Sequence, residues 1–338
     1  MGADMAIPIS GMIKKRHIAT ALILVIGAVL LMRIPDFQSV PHPAKTFDEA
    51  KTLFENLHRE EAKLPLSPEG ASRLLDHGKK TPRTFVLFHG LTNCPEQFLP
   101  LARILHAQGA NVIIPRARYA GFADRLNTIQ GYQSGQDLLD QAAVGLDIAA
   151  GLGERVSVVG ISGSAIAGAW MAQHRDGVSE FVLIAPFFSL DSTPTLLIDT
   201  GAAILSRTPN FYQWWDSEKK ENLAGPKYAY PRFGTRCMAS TIQLSRNVRQ
   251  NLAHLPLRME ALHFLISASD TAANNPLTKE IAASLAKSHT ATITIDEFPA
   301  ELNIPHDMID PSQPHANTEI VYKKILELLD MVEPSKPE

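Results

Sequence analysis

The chain is predicted to adopt an α/β fold, with a mostly parallel sheet held between helices, and three observations predict it. Short apolar runs recur near residues 84–88, 111–114, 156–159, 181–184, 262–266 and 292–296. The first five are largely apolar rather than alternating, which is the pattern of strands buried on both faces, whereas 292–296 alternates as Thr-Ile-Thr-Ile-Asp. Helix-length stretches separate them, with apolar positions three and four apart, as at Leu138, Leu139, Ala142, Leu146 and Ala149. Strand–helix alternation at these lengths argues parallel pairing with crossover helices. Finally, polar residues with chemical potential gather just after the apolar runs, where sheets of this class bind ligands.

The elements follow in chain order. Lys14, Lys15 and Arg16 precede an uninterrupted apolar run over residues 18–32. That is a little short of the roughly 20 residues of a spanning helix. Tilt and snorkelling of Lys15 and Arg33 make up the difference. A cleaved signal peptide is the rival, but no small-x-small exit follows the apolar core. We therefore expect residues 1–16 to be cytoplasmic and 17–34 to be a transmembrane anchor or uncleaved signal. Basic residues concentrate before the segment, which places the rest of the chain on the non-cytoplasmic side.

Residues 35–81 read as a linker and one helix. Pro35, Pro41 and Pro43 mark the linker. Phe47, Ala50, Leu53, Phe54 and Leu57 mark the amphipathic helix, and 63–81 reads as loop. The main domain is expected over 82–332. After its first strand come His89-Gly90-Leu91, and then Pro95 in the first turn of a helix with Phe98, Leu101, Ile104 and Leu105 on its apolar face. No antiparallel strand is evident before residue 82, so the sheet is expected to be reduced. Residues 191–260 interrupt the strand–helix rhythm and are read as a cap. The cap holds Phe211, Trp214, Trp215, Tyr228, Tyr230 and Phe233, which line a pocket or pack cap on core. Arg232, Arg236 and Arg246 in it are read as surface or salt-bridged residues.

Composition sets limits. The 338 residues with 45 % hydrophobic content suffice for one good-sized core with appendages. A net charge of −3 provides no basic field for nucleic acid. Two cysteines, Cys94 and Cys237, exclude a disulfide-dense scaffold. They are either two separate buried thiols or one bridge tying the loop after the first strand to the cap. The chain has no P-loop and no dinucleotide glycine fingerprint, and no histidine pair has helix-borne metal spacing, so neither cofactor nor metal is implied.

The chemistry centres on Gly160-Ile161-Ser162-Gly163-Ser164, which lies between an apolar strand and a small-residue helix. A serine at so sharp a strand-to-helix turn has its hydroxyl pushed into the open, with the first helix amides beside it. Serine needs a base to become a nucleophile, and that base needs an orienting acid. His306, on a loop after the last strand, is the candidate base, with His315 its rival. Asp270, at the end of the 262–266 strand, is the candidate acid, with Asp191 its rival. The amides of Leu91 and Gly163 are candidate donors for an oxyanion. His89 is read as a loop-shaping residue.

With these residues in place, the chain resembles the α/β-hydrolase superfamily over about residues 82–330, in particular bacterial hydrolases of esterase or lipase type. The order Ser162, Asp270, His306 is that superfamily's order. Two departures stand out. Ser164 replaces the last glycine of the Gly-x-Ser-x-Gly turn, and Pro115-Arg116-Ala117-Arg118-Tyr119-Ala120-Gly121 replaces a Pro-Gly-His-Gly turn. The resemblance implies a serine hydrolase that cleaves small-molecule or lipid-like carboxylic esters through an acyl-enzyme, and the N-terminal segment is expected to anchor it to a membrane. Thioester or amide hydrolysis and acyl transfer on the same site are alternatives, as is a non-catalytic binding module that kept the fold.

Overall fold

The computed structural model describes residues 33–252 and 254–331. The expected anchor therefore lies outside the described residues, except for Arg33 and Ile34. Among the described residues no helix is long and apolar enough to cross a membrane.

The linker is stapled along the domain. Phe37 is buried, and the Ala44 amide donates a 2.8 Å hydrogen bond to the Asp147 carbonyl. Helix α1 (Phe47–Glu61) starts at Thr46, whose hydroxyl accepts from the Glu49 amide. Strand β1 (Arg73–Leu75) then pairs antiparallel with β3 (Asn111–Ile114). This short strand was not expected: three half-buried residues, one of them arginine, carry no readable periodicity.

The remaining strands of this sheet pair in parallel. They are β2 (Thr81–Phe88), β4 (Gly153–Ile161), β5 (Glu180–Ile184), β8 (Ala261–Ser267) and β9 (Thr292–Phe298). Among the described residues the sheet order is β1-β3-β2-β4-β5-β8-β9. The chain leaves β2 for β3 on one side and resumes at β4 on the other. The carboxyl ends of β2 and β4 therefore bound a crevice at the point where strand order reverses.

Alternate residues of each strand feed two cores. Val86, Phe88, Val158, Phe181, Leu183 and Phe264 face one side. They meet α1, α3 (Gly135–Leu152), α4 (Ser162–His174), α6 (Thr235–Asn251) and α7 (Asn275–Ser288). Phe85, Leu87, Val159, Ile161, Val182 and Ile184 face the other side, against α2 (Leu99–Ala107) and α8 (Thr318–Leu328). Burial on both faces explains the continuous apolar runs. Helix α3 is held at its start by a capping box between Ser134 and Asp137. Its Gly151 lets α1 approach, because a Cβ there would sit 2.3 Å from the Thr46 carbonyl oxygen.

The segment 191–260 divides into two parts. Helix α5 (Thr195–Leu205) and a two-stranded ribbon, β6 (Tyr212–Trp214) with β7 (Arg232–Gly234), overhang the sheet's carboxyl end. Helix α6, by contrast, buries Cys237, Leu244 and Val248 in the core beside α3 and α4. It is the layer helix that crosses from β5 to β8, and its opposite face, Ala239 and Ile242, carries the overhang. The overhanging part is thus narrower than the expected cap.

Candidate active site

Strand β4 passes into α4 with no loop between them, and Ser162 stands at the junction with φ +58°. A non-glycine residue there is strained, and the packing on both sides must hold it. The turn leaves little room: a Cβ on Gly160 would lie 3.3 Å from the Ala165 Cα. Ser164, where a glycine was expected, is buried, and its hydroxyl donates a 2.6 Å hydrogen bond to the His89 carbonyl. The elbow helix is thereby bonded to the loop that follows β2.

Asp270 occupies the turn after β8. Its Oδ1 accepts from the amides of Ala272 (2.8 Å) and Ala273 (3.2 Å). Its Oδ2 accepts a 2.6 Å hydrogen bond from His306 Nδ1. The carboxylate only accepts, so the imidazole proton sits on Nδ1 and Nε2 is left as an acceptor. The Ser162 hydroxyl donates to that Nε2 at 2.9 Å. The loop bearing His306 is pinned under β8, where the Ser267 hydroxyl donates to the Ile304 carbonyl at 2.8 Å. Asp191 lies beside this turn, its amide donating to the Ala272 carbonyl at 3.2 Å, but His306 is bonded to Asp270 and not to it. Asp191 accepts from the neighbouring Ser192 hydroxyl at 2.6 Å, and His315 is exposed.

Charge is distributed to suit a base. Burial opposes a charged His306, but the hydrogen bond and charge of Asp270, with Asp307 adding, outweigh it and hold its pKa above the ordinary imidazole value. Burial likewise opposes the Asp270 charge, yet His306 and the two amides keep its carboxyl below the usual range. His89 is different: it is fully buried, and burial pushes it down to about 4. Its Nδ1–H donates to the Gly90 carbonyl and its Nε2 accepts from the Ala117 amide at 3.0 Å. It is a neutral strut between the first loop and the 115–121 turn, as the sequence suggested.

Leu91 and Gly163 lie side by side on the cavity wall, with an ideal Cβ on Gly163 only 3.7 Å from the Leu91 Cβ. Gly163 is the second residue of α4, where amides have no partner within the helix. The Gly90 amide, one residue earlier, is held by the Gln97 side-chain oxygen at 2.7 Å. The Gln97 amide nitrogen in turn donates to Asp307 Oδ1 at 2.8 Å. Asn93 and Gln313 donate to the other oxygen of Asp307, at 3.2 and 2.7 Å. Burial and the charge of Asp310 raise the Asp307 carboxyl to about 6, against the pull of these amides. Sequence reasoning assigned no role to this network. Asp307 was visible beside His306, but nothing in the chain marks Gln97 or Gln313 as its partners.

A cavity of about 570 Å³ opens above Ser162 and His306. Its walls are mostly apolar and include Phe187, Leu197, Leu205, Trp215, Met238 and Ile242. Several of the aromatics tie the overhang down. The Tyr228 hydroxyl donates to Asp310 at 2.6 Å, and the Trp215 indole donates to the Thr92 hydroxyl at 3.1 Å. Arg232 stacks on Tyr212, and Arg246 and Arg249 pair with Asp199, so these arginines serve the fold. Cys94 and Cys237 are both buried free thiols, which excludes the bridge between them. Burial raises both thiol pKa values, so neither is a ready nucleophile.

A doubly wound sheet with a strained serine, a histidine and an aspartate in hydrogen-bonded sequence at its carboxyl end defines the class of the protein. The chain belongs to the α/β hydrolase fold family, whose model matches residues 83–253, just over half of its length. No curated protein matches it by sequence. Solved structures similar to it include one described with the metagenome-derived lipolytic enzymes LipS and LipT. That structure is 14 % identical, with 78 % of this chain and 99 % of that one covered at a TM-score of 0.60. A soluble variant of Saccharomyces cerevisiae monoglyceride lipase, in complex with a substrate analogue, is 12 % identical, covering 77 % and 90 % at 0.58. The Paleococcus ferrophilus monoacylglycerol lipase is 16 % identical, covering 76 % and 97 % at 0.56. At these identities the likeness is one of fold.

Proposed function

We propose that the protein is a serine hydrolase that cleaves carboxylic esters through an acyl-enzyme. One observation carries the reading: the unbroken hydrogen-bond chain Asp270–His306–Ser162 at the floor of an apolar cavity. In the first half-reaction the Ser162 oxygen attacks the ester carbonyl while His306 Nε2 takes the hydroxyl proton. The amides of Leu91 and Gly163 hold the oxyanion that develops. Collapse breaks the bond to the alkoxy group, His306 returns its proton to it, and the alcohol leaves. In the second half a water gives its proton to His306 and attacks the acyl carbon. The acid departs, and Ser162 regains its proton. Asp270 keeps the imidazole oriented and stabilises its charged form throughout.

The apolar walls favour an acyl chain over a polar acyl group. Residues 17–34, read as an anchor, would hold this domain at a membrane on its non-cytoplasmic side. The test is labelling of the full chain with a fluorophosphonate probe beside Ser162→Ala, followed by a panel of esters of graded acyl length. Labelling that is lost in the variant, with turnover rising toward longer acyl chains, is expected. Labelling without turnover of any ester would transfer the site to thioester, amide or acyl-transfer chemistry. Wild-type protein that does not label would leave a binding module.

A further inference from the structure

Helix α5 faces outward with the wrong chemistry for water. Leu196 is 70 % exposed, Leu197 63 % and Ile204 47 %. The acidic residue on this helix, Asp199, is turned inward to Arg249 at 2.6 Å. An amphipathic helix normally shows water its polar face, and an apolar face of this kind marks a contact surface. Leu197 and Leu205 belong to both the exposed face and the cavity wall, as does Trp215, which is 45 % exposed. The apolar surface therefore runs without a break from the outside of α5 into the space above Ser162.

The course of the chain supplies the occupant. The apolar run of residues 18–32 ends where the described chain begins. Pro35, two residues after Arg33, shares a cleft with Ser206 and Arg207, the residues that immediately follow α5, and with Arg236. An anchor over residues 17–34, as expected from the sequence, would bring the membrane surface to the end of α5. The exposed Arg236 at that point suits phosphate headgroups, and exposed leucines beside it suit the acyl boundary.

We propose that the outer face of α5 rests on the lipid bilayer into which the N-terminal segment inserts. A bilayer-dissolved ester then passes from lipid into the cavity without crossing water. The substrate class that follows is an ester of a long acyl chain, delivered from the membrane. This rests on the proposed ester hydrolysis for its substrate, but its docking surface is tested separately.

The experiment uses the full chain in phosphatidylcholine vesicles and the variant Leu196→Glu/Ile204→Glu, which changes only exposed positions outside the cavity. Two substrates are compared, the water-soluble p-nitrophenyl acetate and p-nitrophenyl palmitate dissolved in the bilayer. In parallel, phosphatidylcholine with brominated acyl chains is used to quench tryptophan emission. The expected result is turnover of the acetate within twofold of wild type, a tenfold or greater loss on the palmitate, and loss of the bromolipid quenching seen in wild type. Equal loss on both substrates, or none on either, overturns the proposal. So does a wild-type protein whose emission brominated lipid leaves unquenched, which would mean that the face is covered by the N-terminal segment itself or by a second copy. If wild type cleaves neither ester, the hydrolase reading falls while the quenching still decides the docking.

Discussion

The hydroxyl of Ser164 donates a 2.6 Å hydrogen bond to the main-chain carbonyl of His89. It joins the helix that carries Ser162 to the loop that carries Leu91, from a position where a smaller residue was expected. Both partners are buried, so removing the donor leaves a carbonyl without replacement by water. Ser164→Ala should cost about 1–3 kcal/mol of stability in urea unfolding. It should also lower turnover if the proposed mechanism holds, because the loop bearing Leu91 loses its tie to the elbow. A variant as stable as wild type would show that water or another donor satisfies the carbonyl.

On the proposed mechanism, activity should rise with pH through the titration of His306. The base must be neutral to accept the serine proton, and its pKa is held above 6.5, chiefly by Asp270 against the effect of burial. The acidic limb of kcat/KM therefore lies above 6.5. Asp270→Asn removes the charge and leaves the burial, so the limb should move to lower pH while kcat falls by about 10⁴. An unmoved limb would assign it to another group.

The same two shifts act on stability with opposite signs. Asp270 is depressed in the folded state, so its contribution is complete above 3.8 and is lost as pH falls through its folded value. His306 is raised, so its contribution is complete below 6.5 and is lost as pH rises through its folded value. Thermal melts of Asp270→Asn against wild type should differ most between these limits and converge under strong acid.

Gln97 should act as a positioning residue. It bridges the Gly90 amide and the Asp307 carboxylate, so Gln97→Leu leaves both without that partner and frees the loop bearing Leu91. A fall of about 10- to 100-fold in kcat with KM nearly unchanged is expected, since in the proposed mechanism the Leu91 amide acts on the oxyanion rather than in binding. Gln97→Glu retains the acceptor for Gly90 but sets a carboxylate against Asp307. Its activity relative to wild type at the same pH should recover as pH falls and the two acids share a proton, although His306 protonation lowers both. Loss of KM and kcat together, with no pH rescue, would indicate general disruption.

Glu61 should be among the costliest charges to remove. It is buried at the end of α1, where it accepts from the Ser72 amide and hydroxyl at 2.8 and 2.7 Å and from Arg116 at 3.1 Å. The Arg116 side chain is itself only 9 % exposed. Glu61→Ala strands that charge and should cost about 3–5 kcal/mol in denaturant unfolding. A loss below 1 kcal/mol would mean that Arg116 finds water.

The sequence by itself determined the layers and the candidate site residues. Strands buried on both faces must be apolar throughout, and a strand running into a small-residue helix through Gly160 and Ser162 leaves little else for the backbone to do. Both signals are local, so they are written in neighbouring residues. Strand β1 was too short and too exposed to leave such a signal, and α6 looked like part of an insertion until its packing on α3 and α4 assigned it to the core. Partnership was decided only by the tertiary structure. Asp270 and not Asp191 meets His306, Gln97 reaches Asp307, Cys94 and Cys237 stay apart, and Pro35 lies beside the end of α5. These are contacts between segments far apart in the chain, set by strand order and by which loops share one end of the sheet, and nothing in the neighbouring residues of either partner records them.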